Sequence, residues 1–346
     1  MSTAAVKKHP VVQSKPKKEE SVDIEVRLSD LMETLSKGFL IFIVAYSIMI
    51  IPSLKRLLEF FREKDINPPL EEYWWMVPGF LLSFFMYKIC TRVIIQKCVP
   101  IINPINYRQG ETPEKRLNRL GTYIYGTVYY TLSFGLLYYL TYGSRYCPVS
   151  MGGTLDTKQG IAIWPYEVDR SVRIFYMLTL GHHIERAVYE LTVQFHSKTF
   201  YIMVFHHFLT IGLIFLSFFM RHLVYGIPIL LTHDFNDIFL CSSRFFRETR
   251  YPTLASFLFV LLMISWIYTR IYTYMAEVLY GIYCNLFEDN YFLKEFYFTH
   301  LFFPPALVLL LIINIYWGFQ IIRVAVTRFV KKKEGLPFED KKSKTE

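Results

Sequence analysis

Long apolar stretches alternate with short polar connectors along the chain, and the stretches have the length that crosses a bilayer. A helix rising ~1.5 Å per residue needs ~20 largely apolar residues to traverse the hydrocarbon core. Segments near 38–58, 74–96, 119–142, 172–194, 199–220, 223–243, 253–281 and 297–329 meet that requirement and predict eight transmembrane helices. The first is the weakest, because Pro52, Lys55, Arg56 and Glu59 interrupt it. An even count puts both termini on one side. Lys and Arg concentrate in cytosolic connectors, and four basic stretches fall on one side under this count. They are the N-terminal tail (Lys7, Lys8, Lys15, Lys17, Lys18), the connector holding Lys97, Arg108, Lys115, Arg116 and Arg119, the turn with Arg244, Arg247 and Arg250, and the C-terminal tail (Lys331, Lys332, Lys333, Lys341, Lys342, Lys344). The opposite side holds the acidic 288–295 connector and a mixed 143–169 connector with Asp156, Glu167 and Asp169. The basic side is therefore expected in the cytosol; a seven-span reading would carry the N-terminal Lys cluster across the membrane. The expected organisation is a disordered basic tail (1–37), an N-terminal helix pair (38–104), a six-helix domain (105–330) and a basic tail (331–346).

Composition agrees with this pattern. Of 346 residues, 53% are hydrophobic, 18% aromatic and 19% charged, against roughly 25% charged in an average soluble domain. The 31 Phe and 26 Tyr are spread over many segments, which excludes a soluble enzyme on a single anchor. The net charge of +9 sits in tails and connectors, so topology explains it better than nucleic-acid binding does. Cys90, Cys98, Cys147, Cys241 and Cys284 lie far apart and form no metal or redox spacing. The polar start has no apolar core of a signal peptide, so insertion is expected to begin at an internal span. Trp74 and Trp75 read as an interfacial aromatic pair.

Ionisable groups inside a span are costly and usually face a bundle interior or a water-filled cavity. Two neighbouring segments concentrate them. The fifth carries His206, His207 and Thr210; the sixth carries Thr232, His233, Asp234, Asn236 and Asp237. A short turn at Arg221–His222 makes the two an antiparallel hairpin, which sets His206 level with Asp237 and Thr210 level with His233. His206 and His207 then lie roughly 10–12 Å from the cytosolic end. His233 and Asp237 are spaced i, i+4 and share a face. Such a cluster suits either a metal site or general-base and nucleophilic chemistry. Adjacent His residues point ~100° apart, which argues against both binding one ion. Interhelical hydrogen bonding alone, at ~0.6 kcal/mol per contact, would be a weak reason to bury so many ionisable groups. The fourth segment is also polar, with His182, His183, Glu185, Arg186 and Glu190, read either as cavity lining or as an ion-pair network between helices.

The stretch 199-TFYIMVFHHFLTIGLIFLSFF-219 followed by 226-GIPILLTHDFNDIFL-240 resembles the Lag1 motif of the TLC-domain ceramide synthases, HHxxT, then Gly, then HDxxD. His206, His207, Thr210, Gly226, His233, Asp234 and Asp237 carry the match. Trp164-Pro165-Tyr166, Thr269-Arg270 and 314-NIYWGFQIIR-323 look similar as well, and the likeness runs over roughly 105–330, most like the eight-span fungal-type branch. The resemblance implies an all-α bundle enclosing a polar intramembrane cavity. It implies transfer of a fatty acyl group from acyl-CoA to the amine of dihydrosphingosine or phytosphingosine at the endoplasmic reticulum, acyl-CoA being a co-substrate with no metal or other cofactor required. By the same likeness His206, His207, His233, Asp234 and Asp237 are catalytic candidates, with an acyl-histidine intermediate on His206, and Thr210, Asn236, Arg244 and Arg270 are candidate substrate contacts. Expected partners are acyl-CoA, the sphingoid base, membrane lipids, and a homo- or heterodimer or single-span accessory subunit. The chain departs from the motif at Leu240-Cys241, where the family often has Leu-Glu. The last residues form a KxKxx pattern similar to retrieval signals of the endoplasmic reticulum. The competing expectations are a non-catalytic TLC protein that binds or moves lipid, which need not retain HH with HDxxD, and a metal-dependent lipid hydroxylase, which would show several HxxH boxes.

Overall fold

The computed structural model describes residues 70–104, 111–155, 168–195, 199–287 and 303–333, with scattered positions between 30 and 63. Most of the expected first span, Arg108, the 156–167 segment with Trp164-Pro165-Tyr166, the 288–295 connector and the C-terminal tail beyond 333 lie outside the described residues.

Among the described residues seven helical runs form the bundle. They are α1 (Leu70–Ile101), α2 (Pro113–Thr141), α3 (Arg170–Val193), α4 (Phe200–Phe219), α5 (Leu223–Phe246), α6 (Pro252–Cys284) and α7 (Phe303–Lys333). The chain is an all-α, multi-pass membrane protein. By length and composition α1, α4, α6 and the 303–327 part of α7 each suffice to cross a bilayer. The other three helices, at 29, 24 and 24 residues, are long enough but more polar. Seven of the eight apolar segments of the sequence thus correspond to described helices, four of them self-sufficient spans and three polar helices sheltered among them. The physical reason is that α2, α3 and α5 turn polar faces to one another and to an internal cavity.

Packing sets the order. α2 lies along α5, α1 along α3, α3 beside α4, and α5 beside the first half of α6. The α1–α3 crossing is close because glycines meet backbone there. A Cβ on Gly79 would stand 2.2 Å from the Leu178 carbonyl oxygen, and one on Gly181 would stand 2.0 Å from that of Met76; small residues allow such approach in membranes, where van der Waals contact drives association. α6 changes to π-helical turns over Trp266–Leu279, and this stretch carries Thr269, Arg270 and Thr273 inward.

Charged residues tie the two ends. At one end Arg173 of α3 donates twice to Glu72 of α1, both at 2.8 Å, and Glu277 accepts from the amides of Val149 and Ser150. At the other, basic end Arg119 pairs with Glu111 and Glu248, Arg116 donates to the Asn103 carbonyl, and Ile102 makes an isolated β-bridge with Thr249. In the connector Cys147 is fully buried, and burial pushes its thiol up to about 11, so it stays protonated.

α4 and α5 are joined as expected by a tight turn. Arg221 takes the left-handed conformation (φ 56°), His222 N–H donates to Ser217 C=O at 2.7 Å, and Arg221 N–H donates to Phe218 C=O at 3.1 Å. This is a Schellman closure with Arg where Gly is usual. From that turn the two helices splay, touching sparsely, and the space between them is the cavity.

Candidate active site

The cavity has a volume of about 900 Å³ and lies among α4, α5, α6 and α7, with Tyr130 from α2 and Tyr176 and His183 from α3. It runs along α4 from Thr199 to Ser217, about 27 Å of helix. From α4 it receives His206, His207 and Thr210; from α5, His233, Asp234, Asp237, Cys241 and Arg244; from α6, Trp266 and Arg270. Tyr130 of α2, His183 of α3, and Tyr316, Trp317 and Gln320 of α7 complete the middle. Eight of the nine sequence-selected residues therefore line one chamber. Asn236 does not. Its amide nitrogen donates to the Thr232 carbonyl (2.8 Å) and to Thr269 Oγ1, and its Oδ1 accepts from Ser265 (2.8 Å), so it joins α5 to α6.

The polar groups in the chamber differ in how they are held. His233 has both ring nitrogens engaged: Nδ1–H donates to the Ile229 carbonyl at 2.8 Å, which leaves Nε2 to accept from the Asn314 side-chain amide at 3.2 Å. This fixes one neutral tautomer. Asp237 accepts from Arg270 at 2.6 Å, and the same guanidinium donates to the His233 carbonyl at 3.0 Å while lying 4.3 Å from the centre of the Trp266 ring. Asp234 accepts from Ser133 of α2 at 2.6 Å. A buried charge needs such a partner to be tolerable.

His206 and His207 are the contrast. Their rings are 5.6 Å apart, His206 meets Trp317 edge-on at 5.0 Å, and the Nδ1 atoms of both are buried without a hydrogen-bond partner. Thr210 Oγ1 is buried and unpartnered too. Buried polar atoms are nearly always satisfied, so three unsatisfied atoms on one face of α4 mark where a ligand's polar groups fit. No hydrogen bond joins either Asp to these imidazoles, and among the described residues no three His, Cys, Asp or Glu come together as metal ligands.

The fourth polar segment divides. His182, Glu185 and Arg186 face away from the chamber: Ser83 donates to Glu185 (2.9 Å), Glu185 holds Arg186 through two 2.6 Å bonds, and Arg186 lies 4.7 Å from the ring centres of Tyr87, Tyr125 and Tyr189. That is the network reading. His183 instead lines the chamber. Sequence reasoning passed over Ser133, Trp317, Tyr130 and the role of Asn314. Asn314, fully buried within an apolar span, was legible as an intramembrane polar residue, whereas a Ser among many gives no signal.

The fold and site define an all-helical membrane protein, among the described residues, with an unsatisfied imidazole pair and anchored carboxylates in one internal chamber. Comparison narrows the class: the TLC domain matches residues 119–323, and the chain belongs to the TLC-domain family. Its relatives include ceramide synthase hyl-2 of Caenorhabditis elegans, 25% identical over 64% of this chain and 68% of that protein, and ceramide synthase hyl-1 of the same organism, 28% identical over 57% and 54%. Ceramide synthase LOH2 of Arabidopsis thaliana is 26% identical over 53% and 62%. The chain thus spans roughly half to two thirds of these relatives' lengths. They are animal and plant proteins and single out no fungal-type branch.

Proposed function

We propose that this protein is a ceramide synthase, transferring a fatty acyl group from acyl-CoA to the amine of a sphingoid base within the membrane. The observation that carries the reading is the His206–His207 pair, with unpartnered Nδ1 atoms in a chamber where His233, Asp234 and Asp237 are already held. The proposed placement is an eight-span protein of the endoplasmic reticulum with both termini in the cytosol, the basic end of the chamber facing the cytosol. Arg244 lies exposed at that mouth, where it suits the phosphates of CoA, while Arg116 and Arg119 are already paired.

In the proposed chemistry an imidazole nitrogen of His206 attacks the thioester carbonyl carbon. The carbon–sulfur bond breaks, CoA leaves as thiolate and takes up a proton, and the acyl group rests on the ring. The neutral amine of the base then attacks the acyl-imidazole; the amide forms, the amine proton is released, and His206 is regenerated. His207 is assigned to accept that proton. His233, with both nitrogens engaged, is assigned to holding the chamber's shape, and Asp237 and Asp234 to stabilising positive charge on the imidazoles. No metal or further cofactor enters the scheme.

Intact-mass analysis tests it. Purified protein mixed with acyl-CoA alone is expected to gain one acyl mass, absent in His206→Ala, and to lose it on addition of dihydrosphingosine as ceramide appears. Ceramide formed without any adduct would refute the acyl-histidine step. Neither adduct nor ceramide would favour the lipid-binding alternative.

A further inference from the structure

Among the described residues, one end of the cavity is lined by exposed residues and the other by buried ones. Around its basic mouth stand Thr199, Arg244 and Gln320, with Thr199 and Arg244 exposed. At the far end the Tyr176 hydroxyl of α3 reaches Ser217 Oγ of α4 at 2.8 Å, and Ser217 in turn donates to the Ile214 carbonyl at 3.1 Å. α5 makes room for that bridge with Gly226: a Cβ there would stand 1.9 Å from the Tyr176 hydroxyl oxygen. Beyond this floor Phe218, Met220, Leu223 and Val224 are at most 2% exposed, so the turn closes the chamber. Gly226, the motif glycine between the two histidine elements, thus has a physical purpose: it admits the side chain that forms the floor.

We propose that the Tyr176–Ser217–Gly226 floor sets the longest acyl chain the protein accepts, an inference that rests on the acyl-transfer reading above. The polar CoA moiety stays at the mouth and the thioester lies at His206 and His207, so the acyl chain runs toward the floor. α4 advances about 15 Å between His207 and Ser217. A zigzag hydrocarbon with ~1.5 Å bonds advances about 1.3 Å per carbon, so roughly 12 to 14 carbons fill that depth. Longer chains meet the Tyr176 ring and lift the thioester away from the imidazoles.

The test uses the full chain in lipid nanodiscs with dihydrosphingosine and acyl-CoAs of about 8 to 24 carbons. The expected kcat/KM falls by about tenfold or more past roughly 14 carbons. Tyr176→Ala, with Tyr176→Leu as a second truncation should the first fold poorly, is expected to move that fall upward by about four carbons. Tyr176→Phe keeps the ring and is expected to keep the cutoff; Gly226→Ala pushes the ring into the channel and shortens it. An unchanged profile in both truncations overturns the proposal, as does a shift seen only when the length of the base is varied. Thermal stabilisation by non-hydrolysable acyl-CoA thioethers separates the two claims. Stabilisation that obeys the cutoff without turnover keeps the floor and sinks the reaction; turnover indifferent to chain length does the reverse.

Discussion

His233 shows how little a motif letter says about a side chain's work. Its Nδ1 is spent on the Ile229 carbonyl one turn earlier, and its Nε2 on Asn314 from a helix 81 positions away. The ring therefore holds α5 to α7 across the chamber. Replacing the donor leaves a buried acceptor unsatisfied, at a cost of about 1–3 kcal/mol. Asn314→Leu is accordingly expected to lower the unfolding midpoint measured in detergent and to reduce turnover more than it changes KM; an unchanged midpoint would show that the bond contributes nothing. The sequence made the His/Asp cluster legible because ionisable residues on adjacent apolar segments stand out against their surroundings. Which nitrogen each His uses was not legible, because the partners Asn314 and Ser133 come from helices with no spacing relation to the cluster. Asn236 illustrates the limit from the other side. It sits between Asp234 and Asp237 in sequence, yet a ~100° step per residue turns it toward α6.

At the level of elements, the α4–α5 hairpin was legible in full, since a turn of three residues between two long segments leaves one antiparallel arrangement. The π-helical run in α6 was not, because i→i+5 bonding leaves no mark on hydrophobic periodicity. Nor was the α1–α3 crossing, which depends on Gly79 and Gly181 facing each other's backbones. Gly181→Ala puts a methyl 2.0 Å from the Met76 carbonyl oxygen, an atom that cannot rotate aside. That variant is expected to lose the α1–α3 contact and accumulate poorly as folded protein in size-exclusion profiles. Gly135→Ala on α2, where a Cβ meets nothing within 4 Å, is expected to be neutral or to stabilise by up to ~1 kcal/mol through helix propensity. Equal behaviour of the two variants would contradict the crossing as described.

For the whole molecule, the helices alternate direction so that basic residues collect at one end and the closed floor lies at the other. Long apolar stretches alone group α2, α3 and α5 with the lipid-facing spans although they are more polar, because their aromatic and aliphatic residues keep the segments long while polar faces are hidden by neighbours. Their polarity follows from enclosing a chamber: helices bounding a water-accessible cavity inside a membrane need not be apolar all round. The same architecture puts the His206–His207 pair about 10–12 Å below a basic mouth, a depth that suits the proposed substrate, whose head is soluble and whose tail is not. The most direct test of the account is N-acylation of dihydrosphingosine by purified protein in the presence of a chelator, compared with His206→Ala and Asp237→Ala. Ceramide formed by the parent protein and reduced by about a hundredfold or more in both variants is the expected result. Ceramide formation that survives His206→Ala, or that is absent from folded parent protein at every acyl length, would contradict it.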